Sequence, residues 1–156
     1  MIAGEQDARR HGFVNFGVAE VAADLEQFVR KLQFVNPRAR MVLTVSPVPL
    51  AATFEDRHVL DATVYSQSVL RVAAEDLRRR HPHVVYFPSY EIITGPHAGG
   101  RYFEPDLRTV SAAGVDHVMR VFMDTLTDAP PAPDDLQERL EALGELACEE
   151  AMLAKA

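Results

Sequence analysis

The chain has a single cysteine, Cys148, which excludes an internal disulfide and a cysteine-based metal cluster. No apolar run approaches the roughly 20 residues that a membrane-spanning helix needs. The N-terminus, with Glu5, Asp7, Arg9 and Arg10, is not a signal peptide, so the chain is expected to be cytoplasmic. Gly-x-Gly-x-x-Gly, the P-loop and zinc-ligand spacings are all absent, which leaves nucleotide, cofactor and metal chemistry without support. The glycine-flanked Gly-x-Ser-x-Gly elbow is absent too. Surplus positive charge is also lacking: a net charge of −7 argues against a nucleic-acid partner. The run Arg78-Arg79-Arg80 reads as a solvated helix end that complements the helix dipole.

What is present is an ordinary globular composition, 47% hydrophobic and 25% charged, over 156 residues, enough for one domain with its own core. Val21, Leu25, Phe28, Val29, Leu32 and Val35 fall at helical spacing and predict a helix from Glu20 to Asn36-Pro37, where proline disfavours continuation. Met41 to Ser46 predicts a strand that stops at Pro47-Val48-Pro49. A helix over about 61–80, a break at His81-Pro82-His83 and a strand over about 84–88 follow. Residues 89–110 read as a long Gly- and Pro-containing loop, ordered because Tyr90, Ile92, Ile93, Tyr102 and Phe103 can pack it down. Ser111 is the expected N-cap of a helix over about 111–126. Residues 128–133 form a Pro-rich linker, and Leu136, Leu140, Leu143 and Leu146 predict an amphipathic helix over 134–156 opened by an Asp134/Gln137 capping box.

Helices alternating with strands indicate an α/β fold with a short parallel sheet. Two strands are few for such a sheet, so either a second copy pairs with it or residues 1–127 are the C-terminal portion of a larger domain; the latter is the primary expectation.

Both strands deliver polar residues to one edge, the place where α/β folds bind ligands. Ser46 as a nucleophile would need a base and an oxyanion hole nearby. Without them it reads as a strand-end hydroxyl bonded to a loop backbone. His58, in Glu55-Asp56-Arg57-His58, reads equally as a general base oriented by a carboxylate and as a surface histidine beside an N-cap. Glu91 and Asp106 lie near aromatic residues, which are expected to desolvate them and raise their pKa. Tyr90 could donate a hydrogen bond to either carboxylate or to a ligand, and Arg71 could pair with a carboxylate or an anionic ligand. His81 and His83 are too close together, and too poorly supported, for a metal site, and His117 is expected on the solvated side of its helix.

Three stretches, Leu43-Thr44-Val45-Ser46-Pro47-Val48-Pro49-Leu50, Tyr65-Ser66-Gln67-Ser68-Val69-Leu70-Arg71 and Tyr86-Phe87-Pro88-Ser89-Tyr90-Glu91-Ile92, resemble the GSCFA family over about residues 13–125. The resemblance implies a branch of the SGNH hydrolases, with a flavodoxin-like three-layer α/β/α fold and esterase-type chemistry on acyl groups, including those of polysaccharides. It places Ser46, Ser89, Tyr90, Glu91 and Arg71 at the substrate, with His58 and Asp106 as catalytic candidates. Two departures stand out. The family's N-terminal Gly-Ser-Cys-Phe-Ala segment, with its nucleophilic serine, is absent. In the Asp-x-x-His pair Asp106 keeps its place, but Thr109 stands where the histidine belongs, and threonine cannot shuttle a proton near neutral pH. The expectation is therefore an ester hydrolase or acyltransferase lacking its nucleophile segment. The alternatives are a non-catalytic module that binds a carbohydrate or acyl ligand, and a homodimer that completes the sheet.

Overall fold

A computed structural model describes residues 11–127, so the linker at 128–133 and the helix expected over 134–156 lie outside the described residues. The chain divides into two compact units, Val14–Val118 and a second made of Met1–Phe13 with Met119–Ala156. The first unit contains the sheet and the candidate site. Of the second, 11–13 and 119–127 are described, chiefly two helical turns in which Thr125 Oγ1 donates to Val121 O at 2.6 Å.

The element order is α1 (Val18–Val35), β1 (Met41–Leu43), α2 (Val59–Arg80), β2 (Val84–Tyr86), α3 (Ser89–Thr94) and α4 (Ala112–Leu126). Helix α1 begins at Gly17, whose N–H donates to Glu20 Oε2 at 3.0 Å in half of a capping box. It ends before Pro37 as expected, with Asn36 N–H closing on Leu32 O at 2.7 Å. Helix α2 carries its three arginines in the last turn, where Arg80 donates to Asp76 O and Arg78 and Arg79 pair with Glu75. Three cations hold Glu75 well down, at a pKa of about 2, with Arg78 the largest contributor.

The two strands pair in parallel, Met41 with Val84 and Leu43 with Tyr86, so their carboxyl ends lie at the same edge. This is an α/β fold with a short parallel sheet. Each strand is three residues long, shorter than its apolar run, because the ladder stops short of the prolines at 47 and 88. Helix α1 packs on α2, and α2 on β2. Val29, Met41, Leu77 and Val84 form the core between them, joined by Leu25, Leu32 and Leu43. Alternation turns Val42 to the other face of the sheet, where it is 43% exposed.

The stretch 89–110 corrects the long-loop expectation, since its first six residues form α3. A six-residue helix shows too little periodicity to be read from sequence. The remainder is packed down, as its aromatic residues suggested: Ile93, Ala98 and Tyr102 form a second core with Phe103, Val110 and Val118, and Phe103 bridges Val110. Gly114 permits this approach, because a Cβ there would lie 2.9 Å from Tyr102 O. Ser111 acts as expected, its Oγ accepting Gly114 N–H at 3.3 Å. His117 stacks on Tyr102 with ring centroids 5.1 Å apart, which corrects the solvated reading.

Candidate functional site

The carboxyl edge of the sheet is closed by hydroxyl groups. After β2, Phe87 N–H donates to Leu43 O at 2.8 Å, which carries the ladder one step beyond the strand and sets Ser89 beside the end of β1. Ser89 Oγ donates to Val45 O at 3.1 Å. Its one proton thus committed, it accepts from Thr44 Oγ1 at 2.5 Å. The half-buried Ser89 therefore ties the ends of β1 and β2 together.

Ser46 lies on the same edge and is exposed. Its Oγ accepts Val48 N–H at 3.2 Å, so it bonds loop backbone in the way a strand-end serine does. Its carbonyl accepts Gln67 Nε2 from α2, also at 3.2 Å. Neither serine hydroxyl meets an imidazole among the described residues.

Arg71, Tyr86 and Glu91 form a second knot beside the first. Arg71 Nε donates to Glu91 Oε1 at 2.7 Å and its other arm reaches Glu75 at 3.2 Å. The guanidinium lies 4.0 Å from the centroid of the Tyr86 ring, and Tyr86 OH donates to Glu91 Oε2 at 2.9 Å. Burial, reinforced by the Glu91 carboxylate, pushes the Tyr86 phenol up and keeps it a donor. Burial pulls Arg71 down, but its bonds to Glu91 and Glu75 outweigh that and raise it overall. Arg71 is thus a committed cation, as one sequence reading allowed, that fastens α2 to β2 and α3. Both partners of its pair with Glu91 are partly exposed, so the pair contributes up to about 1 kcal/mol. The carbonyl of the half-buried Tyr90 accepts Thr94 Oγ1 at 2.7 Å within α3.

Asp106 sits on an exposed turn that reaches this edge through Arg108, whose Nε donates to Pro49 O at 3.2 Å. Its carboxylate is fully engaged locally. Thr109 Oγ1 donates to Oδ2 at 2.6 Å, and the Thr109 and Arg108 amides donate to Oδ1 at 2.8 and 2.9 Å. These bonds, the Thr109 hydroxyl first, hold its pKa below the usual carboxylate range. The expected upward shift is thereby corrected: sequence neighbours that are aromatic do not cover this carboxyl, and nearby donors favour its charge. Leu107, between these residues, has a φ of 54°, a left-handed conformation that costs a non-glycine residue energy.

His58 lies at the start of α2, where its Nδ1 accepts Leu60 N–H at 3.2 Å as the N-cap. The nearby carboxylate is engaged elsewhere, since Glu55 binds Arg57 at 2.5 Å and Asn15 Nδ2 at 2.9 Å. Among the described residues, no carboxylate bonds the His58 ring.

The structure therefore brings Ser46, Ser89, Glu91 and Arg71 to one edge, joins the Asp106 turn to it through Arg108, and uses His58 as a cap. Sequence reasoning missed Thr44, Tyr86 and Arg108. Thr44 and Tyr86 flank the strand ends already singled out, and that position was their available signal. Among the described residues, no group of His, Cys, Asp and Glu side chains is suited to a metal ion, and no helix is long and apolar enough to cross a membrane.

The model of the GSCFA family matches residues 3–122. No curated protein and no solved structure matches the chain.

Proposed function

The chain belongs to the GSCFA family, and on that footing we propose an SGNH-like, esterase-type domain acting on an acyl ester, a polysaccharide ester among the candidates. In this reading Ser46, Ser89, Tyr90, Glu91 and Arg71 form the wall of the acyl pocket. Ser46 and Ser89 are then binding hydroxyls and not the nucleophile, and His58 and Asp106 are the catalytic candidates. The carrying observation is the Ser89 clamp: its proton goes to Val45 O and its oxygen accepts from Thr44. An attacking serine needs instead a base that removes its proton.

A second reading, a non-catalytic module that binds a carbohydrate or acyl ligand at the same edge, is favoured by the Thr109–Asp106 bond. There a hydroxyl occupies the carboxylate that would orient a histidine, and no proton carrier takes its place.

The two readings separate on hydrolysis of p-nitrophenyl acetate and binding of an acetylated oligosaccharide by the full chain. Turnover that survives Ser46→Ala and Ser89→Ala supports the hydrolase with its nucleophile elsewhere. Saturable binding without turnover, with amide shifts at Ser46, Ser89 and Tyr90, supports the binding module. Turnover abolished by either serine substitution contradicts both readings, as does the absence of both turnover and binding.

A further inference from the structure

The amino edge of the sheet, opposite the site, carries exposed apolar side chains beside cations unpaired among the described residues. The turn joining α1 to β1 is firmly held: Gln33 Nε2 donates to Ala39 O at 2.9 Å, Ala39 N–H to Asn36 O at 3.0 Å, and Arg38 N–H to Asn36 Oδ1 at 3.2 Å. Just ahead of it, the last turn of α1 displays Phe34 and Val35, 89% and 79% exposed. Phe28, 55% exposed, stands seven residues before Val35 on the same line of α1, with the exposed Lys31 between them. Arg38 and Arg40 have no side-chain partner among the described residues, whereas Arg30 and Arg80 pair with Glu26, and Arg78 and Arg79 with Glu75. Large apolar side chains held outward on a rigid frame and flanked by uncommitted cations mark an interaction surface.

Its chemistry specifies an occupant with an apolar stripe at helical spacing and acidic flanks. The chain itself contains one. Eight of its 23 acidic residues and only two of its 16 basic residues lie in 128–156, so that stretch carries −6 of the net −7. Within it Leu136, Leu140, Leu143 and Leu146 recur every three or four positions, with Glu138, Glu141, Glu145 and Glu149 among them. We propose that the Phe28–Val35 face of α1 and the Arg38/Arg40 turn receive the acidic 134–156 segment of a second copy of the chain. Reciprocal exchange about a two-fold axis makes two such seams per dimer. This dimer uses the outer side of α1 and leaves the sheet edges free.

Light scattering of the full chain tests the proposal. The expected mass is twice 17.3 kDa, falling toward one copy as salt is raised. Arg38→Glu with Arg40→Glu is expected to give a monomer, and adding Glu141→Lys with Glu145→Lys to restore the dimer. Leu140→Ser with Leu143→Ser removes the apolar half from the other side and is also expected to give a monomer. An unchanged far-ultraviolet circular dichroism spectrum and a cooperative thermal transition confirm that the Arg38/Arg40 variant is folded. A wild-type chain that stays monomeric overturns the proposal, and so does a dimer indifferent to these substitutions, which would place the interface elsewhere.

Discussion

The two ends of the sheet treat their polar groups in opposite ways. At the carboxyl edge Ser89, Glu91 and Asp106 are spent on neighbours: Ser89 on Val45 and Thr44, Glu91 on Arg71 and Tyr86, Asp106 on its own turn. At the amino edge, Phe34 and Val35 project from the last turn of α1, and Arg38 and Arg40 are uncommitted. The contrast teaches that polar residues gathered at a strand end are not by that fact reactive. What decides is whether a proton or a lone pair is left over. The amino end is the one with capacity to spare.

The largest expected effect lies between the two ends. Leu77 is fully buried in the core that joins α1, α2 and both strands, so Leu77→Ala should cost about 2–5 kcal/mol in chemical denaturation. A loss under about 1 kcal/mol would mean that this core does not hold the two edges together. Ser89→Ala should cost about 1 kcal/mol, because Val45 O and the Thr44 hydroxyl both lose a partner. A neutral result would remove Ser89 as a clamp.

Asp106 gives a pH test. Its pKa is lowered by the Thr109 hydroxyl and by the Arg108 and Thr109 amides. The stabilisation it contributes is therefore complete above the ordinary carboxylate pKa of about 4 and is lost as pH falls through the lower folded value. Thr109→Val deletes the principal donor and should move the Asp106 titration up toward the ordinary value in carboxyl NMR. An unmoved titration would assign the shift to the backbone alone. At Leu107, glycine relieves the left-handed strain at the cost of unfolded-chain entropy, so Leu107→Gly should change stability by less than about 1 kcal/mol. Smallest of all, Phe34→Ala should leave the stability of a single copy unchanged, since its side chain is almost wholly exposed. A substantial loss there would show that the amino edge is covered within one chain.

Much of the frame was legible in the sequence. The spacing of Val21, Leu25, Val29 and Leu32, the stop at Asn36-Pro37 and the apolar runs ahead of Pro47 and Pro88 place α1, β1 and β2 because helix and strand periodicity are local properties. What escaped depends on distant partners or on very short elements. Helix α3 has too few residues to display a period. The stacking of His117 on Tyr102 joins residues that sequence leaves unrelated. Asp106 departs from its sequence expectation because its aromatic neighbours in sequence do not surround its carboxyl, whereas the donor three residues on decides its charge. The Arg71–Glu91 pair was foreseeable only in kind: a helical arginine and a strand-end carboxylate could meet, but only the fold of β2 against α2 brings them to 2.7 Å.

The reactivity of the two serines can be read directly by treating the full chain with a serine-directed fluorophosphonate and mapping adducts by mass spectrometry. With Ser89 Oγ committed to Val45 O and Thr44, and Ser46 Oγ bonded to Val48 N–H, neither serine should be labelled above the level of the denatured chain. Stoichiometric labelling of Ser46 or Ser89 in the native chain, lost on denaturation, would contradict the account of this edge as a clamped strand end and identify it as a nucleophile site.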